Sequence, residues 1–524
     1  MTKSYQAVVV GGSLGGIMAA YALSKQGIHT ALIEKTDWIG GQLTSQGVPS
    51  DEHEYIEFTG ATETYRRFRE NIRSYYRNHP DIVDTLKNKR IFNPGNGWVS
   101  KNAADPRLSL KLLNDILQPF VDNQTLDIYL ETPTVGAYKV QDVIQYVVIH
   151  HNHEDIVIKA DYFIDATDIG ELLPMTDTAY VTGAESYDET QEPHAPMVKN
   201  SEDMQPITWI AAVGFNPNNT SIIEKPDLYD QFKKYIMPFG ESVLSWYAAG
   251  LEQGSKRAFS MFAEGEYQST PAMFTYRQVI EKNHFKTSVP YSVTLINWPQ
   301  NDYFFGNIYD DPNSDYHRYA AKQLTLSLIY WLQTEARRDD GGYGYPEVCL
   351  VPEVLGTKDG LAKAPYIRES RRIKALYTIK EQVINKRYAL KPPHFRDRIG
   401  IGHYHIDLHM TTKTKTYFFD ETYPFQIPLG TLIPIETKNL IAACKNIGTT
   451  HVTNGCYRLH PVEWNIGESA GYLVAFAIKH QVSPKQIYQD DVLLESYQEL
   501  LKQSGILIEW PVEVLEGHDE KRSK

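Results

Sequence analysis

A glycine-rich turn close to the amino end constrains the fold of this chain more than any other feature. An apolar stretch over residues 7–10 runs into Gly-Gly-Ser-Leu-Gly-Gly at residues 11–16, and a helical pattern over residues 17–25 and a second apolar stretch over residues 30–34 follow. Strand, turn, helix and strand in this order form a βαβ unit, whose two strands pair in parallel. The sequence therefore predicts an α/β fold with a Rossmann-type domain.

The spacing inside this turn matches the dinucleotide-binding fingerprint. Gly11, Ser13 and Gly16 occupy the three special positions of GxGxxG, and Ala20 is small where the helix must approach the strand. Ser13 departs from the pattern, because the second position normally lacks a side chain. Glu34 ends the second predicted strand, where a carboxylate can accept hydrogen bonds from the adenosine ribose. The turn therefore predicts a bound dinucleotide without a 2′-phosphate, its pyrophosphate at the helix N-terminus.

Composition excludes several other classes of protein. At 524 residues the chain predicts two domains, or one large domain with a long insertion. The formal net charge of −13 argues against a nucleic-acid partner. The three cysteines form no CxxC pair or zinc spacing, which favours a reducing compartment. With no export signal and no apolar stretch of membrane-spanning length, we expect a soluble, cytoplasmic protein that does not bind membranes. Its oligomeric state is left open.

Three sequence blocks resemble flavoproteins of the glutathione-reductase-like superfamily. Trp38-Ile-Gly-Gly-Gln-Leu-Thr resembles the glycine doublet that lies beside FAD, and Gly467-Glu-Ser-Ala-Gly resembles the start of the flavin-facing helix. Phe163-Ile-Asp-Ala-Thr-Asp-Ile-Gly-Glu-Leu resembles the family's DATGDGDL strand, with Asp168 in place of a glycine. The resemblance implies FAD rather than a nicotinamide cofactor.

The closest resemblance is to the FAD-dependent oxidoreductase family that carries an RESRR block. The matching segments, in the family's order, are Arg368-Glu-Ser-Arg-Arg, Ile406-Asp-Leu-His, Ile427-Pro-Leu-Gly-Thr-Leu, Asn439-Leu-Ile-Ala-Ala and Arg458. The motif and the resemblance together give these expected FAD contacts: Gly11, Gly12, Ser13, Leu14, Gly15, Gly16, Glu34, Lys35, Gly40, Gly41, Gln42, Leu43, Asp165, Ala166, Thr167, Arg371, Gly467, Glu468 and Ser469.

The order of the predicted elements makes the FAD-binding domain discontinuous. The predicted division is an FAD-binding domain over residues 1–55, 105–182 and 425–480, a mixed α+β substrate domain or insertion over residues 56–104 and 183–424, and a C-terminal helix and tail over residues 481–524. Two separate strands are expected over residues 155–160 and 162–166, and a polar loop through Pro461 is expected to precede a helix over residues 468–480.

Histidines are the candidates for moving a proton. His460 precedes the predicted flavin-facing helix, and its near-neutral intrinsic pKa suits general-base work. His53, just after the glycine doublet, is the competitor. Either ring could instead satisfy a buried hydrogen bond. Arg458 is the third predicted catalytic residue, because a guanidinium near the flavin can bind an anionic substrate.

Two further groups of residues are candidate ligand-binding sites. Arg368, Arg371 and Arg372 form either a cationic contact for the flavin or substrate, or a solvated face. Trp298 beside Asn297, Asn301 and Asp302 combines a flat ring with polar groups, which suits a sugar-like substrate or an ordinary core tryptophan. No metal site is predicted, because the spacing of Glu185, Glu189, Glu192 and His194 matches neither a zinc motif nor an EF-hand.

The sequence thus predicts an FAD-dependent oxidoreductase that oxidises a small polar organic molecule, sugar-like in one version, by hydride transfer to flavin N5. Two alternatives stay open: an NAD(P)H-dependent reductase of a C=C or C=O bond, and a flavin-binding protein without catalysis. The electron acceptor and the mode of FAD attachment are not determined by the sequence.

Overall fold

The chain adopts a mixed α/β fold in a computed structural model that describes residues 1–250, 254–263 and 271–520. The strands are β1 (Thr2–Val10), β2 (Thr30–Ile33), β3 (Leu126–Tyr129), β4 (Thr134–Val140), β5 (Val143–His151), β6 (Glu154–Asp165), β7 (Tyr180–Val181), β8 (Ile207–Thr208), β9 (Ala211–Phe215), β10 (Tyr247–Ala249), β11 (Lys256–Ala258), β12 (Gln278–Ile280), β13 (Val293–Ile296), β14 (Asp302–Tyr303), β15 (Val348–Leu350), β16 (Arg372–Ile373), β17 (Arg398–Gly402), β18 (Ile406–Leu408), β19 (Phe418–Asp420), β20 (Phe425–Pro428) and β21 (Leu440–Ala442). The helices are α1 (Leu14–Lys25), α2 (Glu63–Asn78), α3 (Asp84–Lys87), α4 (Pro106–Asp122), α5 (Leu172–Met175), α6 (Tyr187–Thr190), α7 (Tyr229–Lys234), α8 (Met273–Tyr276), α9 (Ser314–Thr334), α10 (Pro352–Leu355), α11 (Glu381–Ile384), α12 (His451–Asn454), α13 (His460–His480), α14 (Pro484–Gln489), α15 (Asp491–Gln503) and α16 (Val512–Glu520).

A largely parallel sheet with the order β3-β2-β1-β6 forms the centre of the fold, and β21 also pairs with β6 in parallel. In the register of these strands Val10 lies beside both Ile33 and Asp165, and Asp165 lies beside Ala442. The carboxyl ends of four strands therefore meet at one edge of the sheet, which is where open α/β sheets bind ligands. This arrangement confirms the predicted Rossmann-type α/β fold.

Two predicted elements differ from the structure. The strands expected over residues 155–160 and 162–166 are one long strand, β6, whose first half pairs with β5 and whose second half lies between β1 and β21. The predicted polar loop through Pro461 is wrong, because α13 already begins at His460. A proline is tolerated there because the first turn of a helix has amide groups without helical acceptors.

Helices α1 and α13 pack in close contact through glycine. A Cβ added to Gly467 would lie 2.0 Å from the carbonyl oxygen of Gly15, and one added to Gly471 would lie 2.4 Å from that of Ala19. The backbones can approach this closely only because no side chains intervene. The contact brings the start of α13 against the turn that follows β1.

Replacing Gly467 with Ala is expected to lower the free energy of unfolding by about 1–3 kcal/mol, because the added methyl overpacks the contact between α1 and α13. The measurement is urea unfolding followed by circular dichroism. Gly136→Ala is the matched control, since a Cβ at Gly136 meets no atom within 4 Å. Equal unfolding midpoints for the two variants would contradict the expectation.

The buried apolar residues divide into two cores. The first surrounds the parallel sheet, and the second surrounds an antiparallel sheet of order β12-β13-β9-β15 together with α9. Tyr65 and Phe68 of α2 and Tyr497 of α15 belong to the first core, although they lie in segments predicted outside the FAD-binding domain. The domain boundaries stay a prediction.

The carboxyl-terminal region contains more helix than expected. The predicted helix and tail after residue 480 are three helices, α14, α15 and α16, and residues 521–524 lie outside the described part of the chain. In the described part of the chain, no helix combines the length and the apolarity needed to cross a bilayer.

Candidate functional site

The first turn of α1 presents amide groups at the carboxyl edge of the sheet. Ser13 caps the helix, and its Oγ accepts from the amide of Gly16 at 3.2 Å. The Gly15 amide donates to Glu463 Oε1 at 3.3 Å, and the Leu14 amide has no acceptor among the described residues. Such a helix start attracts an anion through its free N–H groups and its dipole. The serine that departs from the fingerprint thus serves as a helix cap.

Glu34 lies buried at the end of β2, next to the same turn. Its Oε2 accepts from the Gly12 amide at 2.7 Å, and its Oε1 accepts from the amide and hydroxyl of Thr36, both at 2.8 Å. Burial raises the pKa of Glu34, and these hydrogen bonds oppose the shift only in part. The neighbouring Lys35 pairs with Glu171 at 2.6 Å. Glu34 therefore sits where the fingerprint requires a ribose acceptor.

The glycine doublet lies directly on the turn. Gly40 and Gly41 have φ angles of 113° and 49°, and the Gly40 amide donates to the Gly12 carbonyl at 2.7 Å. A Cβ on Gly41 would lie 2.9 Å from Ser13 Cα, so this approach needs glycine. Leu43, two residues on, is buried in the first core.

The turn after β6 closes the third side of the cleft. Asp165 Oδ1 accepts from the amide and the hydroxyl of Thr167 at 3.0 and 2.7 Å, and its Oδ2 accepts from the Leu172 amide at 3.1 Å. Burial raises the pKa of Asp165 to about 7. The carbonyl of Ala166 faces Gly11, where an added Cβ would lie 2.4 Å from the oxygen. Asp165 thus holds the shape of the turn.

A buried ion cluster, which we call the Lys445 cluster, joins this turn to α13. Lys445 Nζ lies 2.8 Å from Asp168 Oδ1 and 3.1 Å from Glu463 Oε2. The amides of Gln46 and Gln42 donate to the same two carboxylates, each at 2.7 Å. Burial disfavours both charges, but the mutual attraction prevails, lowering the pKa of Asp168 and raising that of Lys445. Sequence reasoning noted Asp168 as a departure and missed its partners.

A cavity of about 430 Å³, the His409 cavity, opens between the elements of the two cores. Its wall includes charged residues from distant segments, among them Asp51, Arg277, Asp302, Arg368, Asp407 and His409. Its volume and its mixture of polar and aromatic side chains are typical of a small-molecule site.

His409 lies at the centre of a chain of alternating charges in this wall. Its Nδ1 lies 2.5 Å from Asp302 Oδ2, and its Nε2 lies 3.2 Å from Asp407 Oδ2. Arg368 pairs with Asp302 at 2.8 Å, and Arg458 pairs with Asp407 at 3.0 Å. Burial alone would raise the pKa of both carboxyl groups, but their cationic neighbours outweigh it and lower both pKa values. This histidine was part of a matching block in the sequence but was not predicted as catalytic.

The predicted base His460 is held by backbone groups. Its Nδ1 accepts from the amide of Asp51 at 2.9 Å, and its Nε2 lies 3.3 Å from the Val48 carbonyl. Burial lowers the pKa of His460, and Nδ1 carries no hydrogen because it accepts one from the Asp51 amide. Both ring nitrogens of His460 are engaged, and His460 does not line the His409 cavity. The ring instead links the loop after the glycine doublet to α13.

The competitor His53 has a similar environment. Its Nε2 lies 3.1 Å from the Gly60 carbonyl, and its Nδ1 accepts from the Tyr55 amide at 3.2 Å. Burial lowers the pKa of His53 to about 4. A catalytic role for either histidine stays a prediction, whereas the geometry favours His409.

Three other expected cofactor contacts lie away from the turn. Glu468 accepts from the Thr64 hydroxyl at 2.6 Å, and Ser469 donates to the Ile399 carbonyl at 2.9 Å. The helical rotation of 100° per residue carries both side chains off the side of α13 that faces α1. Arg371 donates to the Ile169 carbonyl and pairs with Asp310, both at 2.8 Å. Gly467 is thus the member of its block that lies at the turn.

Trp298, a candidate either for a substrate contact or for a core residue, packs in the second core. The Trp298 side chain is 1% exposed in the second core and does not line the His409 cavity, although Asn297 and Asp302 do. Asn301 is buried and donates to the Ile296 carbonyl at 3.0 Å. A tryptophan in a core is the commoner outcome for such a cluster.

One group of side chains within the described residues could in principle surround a metal ion, namely His194, Glu381 and Asp420. His194 Nδ1 lies 2.5 Å from Glu381 Oε1, and the Asn385 amide donates to both carboxylates, at 2.8 and 3.0 Å. Arg387 pairs with Asp420 at 2.9 Å. The carboxylates are therefore already engaged with N–H donors.

The residues around the first turn of α1 suit the parts of a dinucleotide such as FAD. The free Leu14 amide and the weakly bonded Gly15 amide suit the pyrophosphate, if a phosphate oxygen replaces Glu463 Oε1 at Gly15. Glu34 suits the ribose, and Lys445 supplies a cation within the same cleft.

Comparison with protein families supports FAD as the cofactor. A family model described as FAD dependent oxidoreductase matches residues 6–501. No curated protein sequence matches significantly.

Several solved structures are similar to this chain at low sequence identity. A geranylgeranyl bacteriochlorophyll reductase-like protein from Thermoplasma acidophilum is 12% identical, with a TM-score of 0.36 over 97% of this chain and 85% of that chain. The p-nitrophenol 4-monooxygenase of Pseudomonas putida is 10% identical, with a TM-score of 0.36 over 96% of this chain and 88% of that chain. The L-proline dehydrogenase of P. horikoshii is 17% identical, with a TM-score of 0.19 over 35% of this chain and 24% of that chain.

Proposed function

The chain belongs to the FAD-dependent oxidoreductase family, and on that premise we propose that it oxidises a small polar organic molecule in the His409 cavity. It is an oxidoreductase, and its cofactor is FAD. The observation that carries the proposal is the position of His409 in the wall of a 430 Å³ cavity, between the carboxylates of Asp302 and Asp407.

The residues that would hold FAD lie in the cleft around the first turn of α1. The amides of Leu14 and Gly15 would bind the pyrophosphate, with Lys445 as the nearby cation. Glu34 would accept from the ribose hydroxyls. When bound, FAD accepts a hydride at flavin N5.

His409 would take the proton that the substrate loses when its C–H bond is oxidised. The 2.5 Å contact with Asp302 places one hydrogen on Nδ1, so in the neutral ring, which is the form that acts as a base, the free lone pair is on Nε2. A proton taken up at Nε2 would be shared with Asp407 Oδ2, 3.2 Å away. By accepting the hydrogen on Nδ1, the Asp302 carboxylate would fix the tautomer and the orientation of the His409 ring.

Anaerobic mixing tests this proposal. FAD-loaded protein is mixed with alcohols, hydroxy acids, amines and sugars, and bleaching of the flavin absorbance band is recorded. Bleaching by one of these donors supports the proposal. Bleaching by NAD(P)H alone would favour a reductase, and no bleaching by any donor would favour a flavin-binding protein without catalysis.

Replacing Glu34 with Gln is expected to weaken FAD binding by roughly tenfold, because a charge-assisted hydrogen bond to the ribose becomes a neutral one. Titration of the FAD-free protein with FAD, followed by flavin fluorescence, gives the dissociation constant. Glu70→Gln on the exposed surface of α2 is the control. Unchanged affinity in Glu34→Gln would place the ribose elsewhere.

A further inference from the structure

The wall of the His409 cavity contains an arginine, Arg277, whose guanidinium has one long ion pair and a cation–π contact with Tyr276. Arg277 is 8% exposed, and its Nη2 lies 3.3 Å from Asp51 Oδ2. Its Nε and Nη1 have no hydrogen-bond partner among the described residues. A buried polar group normally has a partner, since an unpaired one destabilises the fold. Arg277 therefore lines the cavity with most of its hydrogen-bonding capacity unused.

Other unpaired atoms in this wall show the same excess of donors. Among the described residues Asn297 Nδ2 and Arg368 Nε are also buried without partners, so the cavity-lining residues contribute four unpaired donor nitrogens, each with less than 1 Å² of accessible surface. Against them stands one unpaired acceptor, Gln300 Oε1. A ligand that draws these side chains toward itself would have to supply acceptors.

The carboxylates of the wall do not meet this demand, because they are already engaged. Glu52 pairs with Arg69 at 2.8 Å, outside the cavity lining. Asp302 and Asp407 each have an arginine and His409 as partners. Asp51 reaches one nitrogen of Arg277 at a long distance. Water could fill some of these hydrogen bonds, but it cannot neutralise the guanidinium charge.

We infer that the His409 cavity binds a carboxylate through Arg277, and that the substrate is a small carboxylic acid. This inference rests on the proposed oxidation and specifies its substrate class. A planar guanidinium pairs with a carboxylate through two N–H groups, which gives both affinity and orientation. Tyr276, Tyr404 and Tyr417 line the same cavity and provide surface for the rest of the molecule. A carboxylate on Arg277 would hold the oxidised carbon within a cavity that also presents His409.

A buried arginine with a structural role has a different environment in this chain. Arg69 is 5% exposed, and its guanidinium pairs with Glu52 at 2.8 Å and with Glu57 at 2.6 Å. Arg277 has no comparable pair of carboxylates. Arg69→Gln is therefore expected to destabilise the fold more than Arg277→Gln, because it leaves two buried carboxylates without their partner.

The test uses FAD-loaded protein and the probe pair benzoate and benzamide, which have similar shapes but differ in charge. Isothermal titration calorimetry is expected to show saturable binding of benzoate and at least tenfold weaker binding of benzamide. Arg277→Gln is expected to weaken benzoate binding at least tenfold. Arg67→Gln, on the exposed face of α2, is expected to leave it unchanged.

A second variant keeps the test decisive if Arg277→Gln does not fold. Asp51→Asn removes the carboxylate that competes for Arg277, so benzoate binding should become tighter. Failure of the wild-type protein to prefer benzoate over benzamide, or full benzoate affinity in Arg277→Gln, would overturn the inference. So would unchanged or weaker binding in Asp51→Asn.

The outcomes separate this inference from the proposed oxidation. If benzoate binds through Arg277 but no donor of any class bleaches the flavin, the carboxylate site stands and the oxidation fails. If neutral donors bleach the flavin and no carboxylate binds, the oxidation stands and the carboxylate site fails.

Discussion

Replacing Lys445 with Met is expected to lower the free energy of unfolding by about 3–5 kcal/mol, because removing one partner of a buried ion pair leaves the others uncompensated. Lys445 lies between Asp168 and Glu463; the side chains of Lys445 and Glu463 are fully buried, and that of Asp168 is 17% exposed. Methionine keeps the length of the side chain and removes only the charge. Urea unfolding of the FAD-free protein measures the change without a contribution from cofactor binding.

Two further variants separate the charge effect from packing. Lys445→Met combined with Glu463→Gln should recover part of the loss, because one uncompensated carboxylate is removed. Lys479→Met is the control, since Lys479 is exposed and its ammonium donates only to Gln26. Equal unfolding midpoints for Lys445→Met and Lys479→Met would show that the Lys445 cluster contributes nothing to stability.

The stability difference between wild type and Lys445→Met is expected to depend on pH. The folded state lowers the pKa of Asp168 below its ordinary value of 3.8, so its ionisation stabilises the fold above that value. This contribution is lost as the pH falls through the lowered pKa of the folded state. Without Lys445 the buried carboxyl is instead relieved by protonation. The stability difference between wild type and Lys445→Met should therefore shrink as the pH falls from neutral toward the lowered pKa of Asp168.

Replacing His409 with Asn is expected to slow anaerobic flavin reduction by roughly 10²- to 10⁴-fold, the usual loss when a general base is removed. The asparagine amide can still donate to Asp302, so the chain of charges around the cavity keeps one of its bonds. Stopped-flow measurement of flavin bleaching gives the rate at saturating substrate. FAD content and the unfolding midpoint should stay close to those of the wild type.

A parallel variant distinguishes the two candidate bases. His460→Asn is expected to lower stability, because the ring bridges Val48 and Asp51, but to leave the pH profile of flavin reduction unchanged. His29→Asn, at an exposed position, is the control for both. A 10²-fold loss in His460→Asn with a wild-type rate in His409→Asn would reverse the assignment and support the base predicted from the sequence.

Structural features formed by residues close together in the sequence could be predicted from the sequence. The βαβ unit and the position of Glu34 beside the glycine turn both arise within the first 34 residues, where backbone conformation is determined locally. The serine at position 13, which departs from the fingerprint, is also explained by a local interaction, because its hydroxyl accepts from the Gly16 amide. The family resemblance extended the same reasoning to Gly467.

Partners across the chain could not be read in this way. His409 meets a carboxylate 107 residues away in Asp302, and Lys445 meets one 277 residues away in Asp168. His460, the expected base, is instead held by two backbone groups more than 400 residues away. The sequence by itself determined which backbone turns can cradle a dinucleotide, because local dihedral angles and spacing decide that. Only the tertiary structure decided which side chains are charged, paired or left free, because burial and electrostatic partners depend on how distant segments pack.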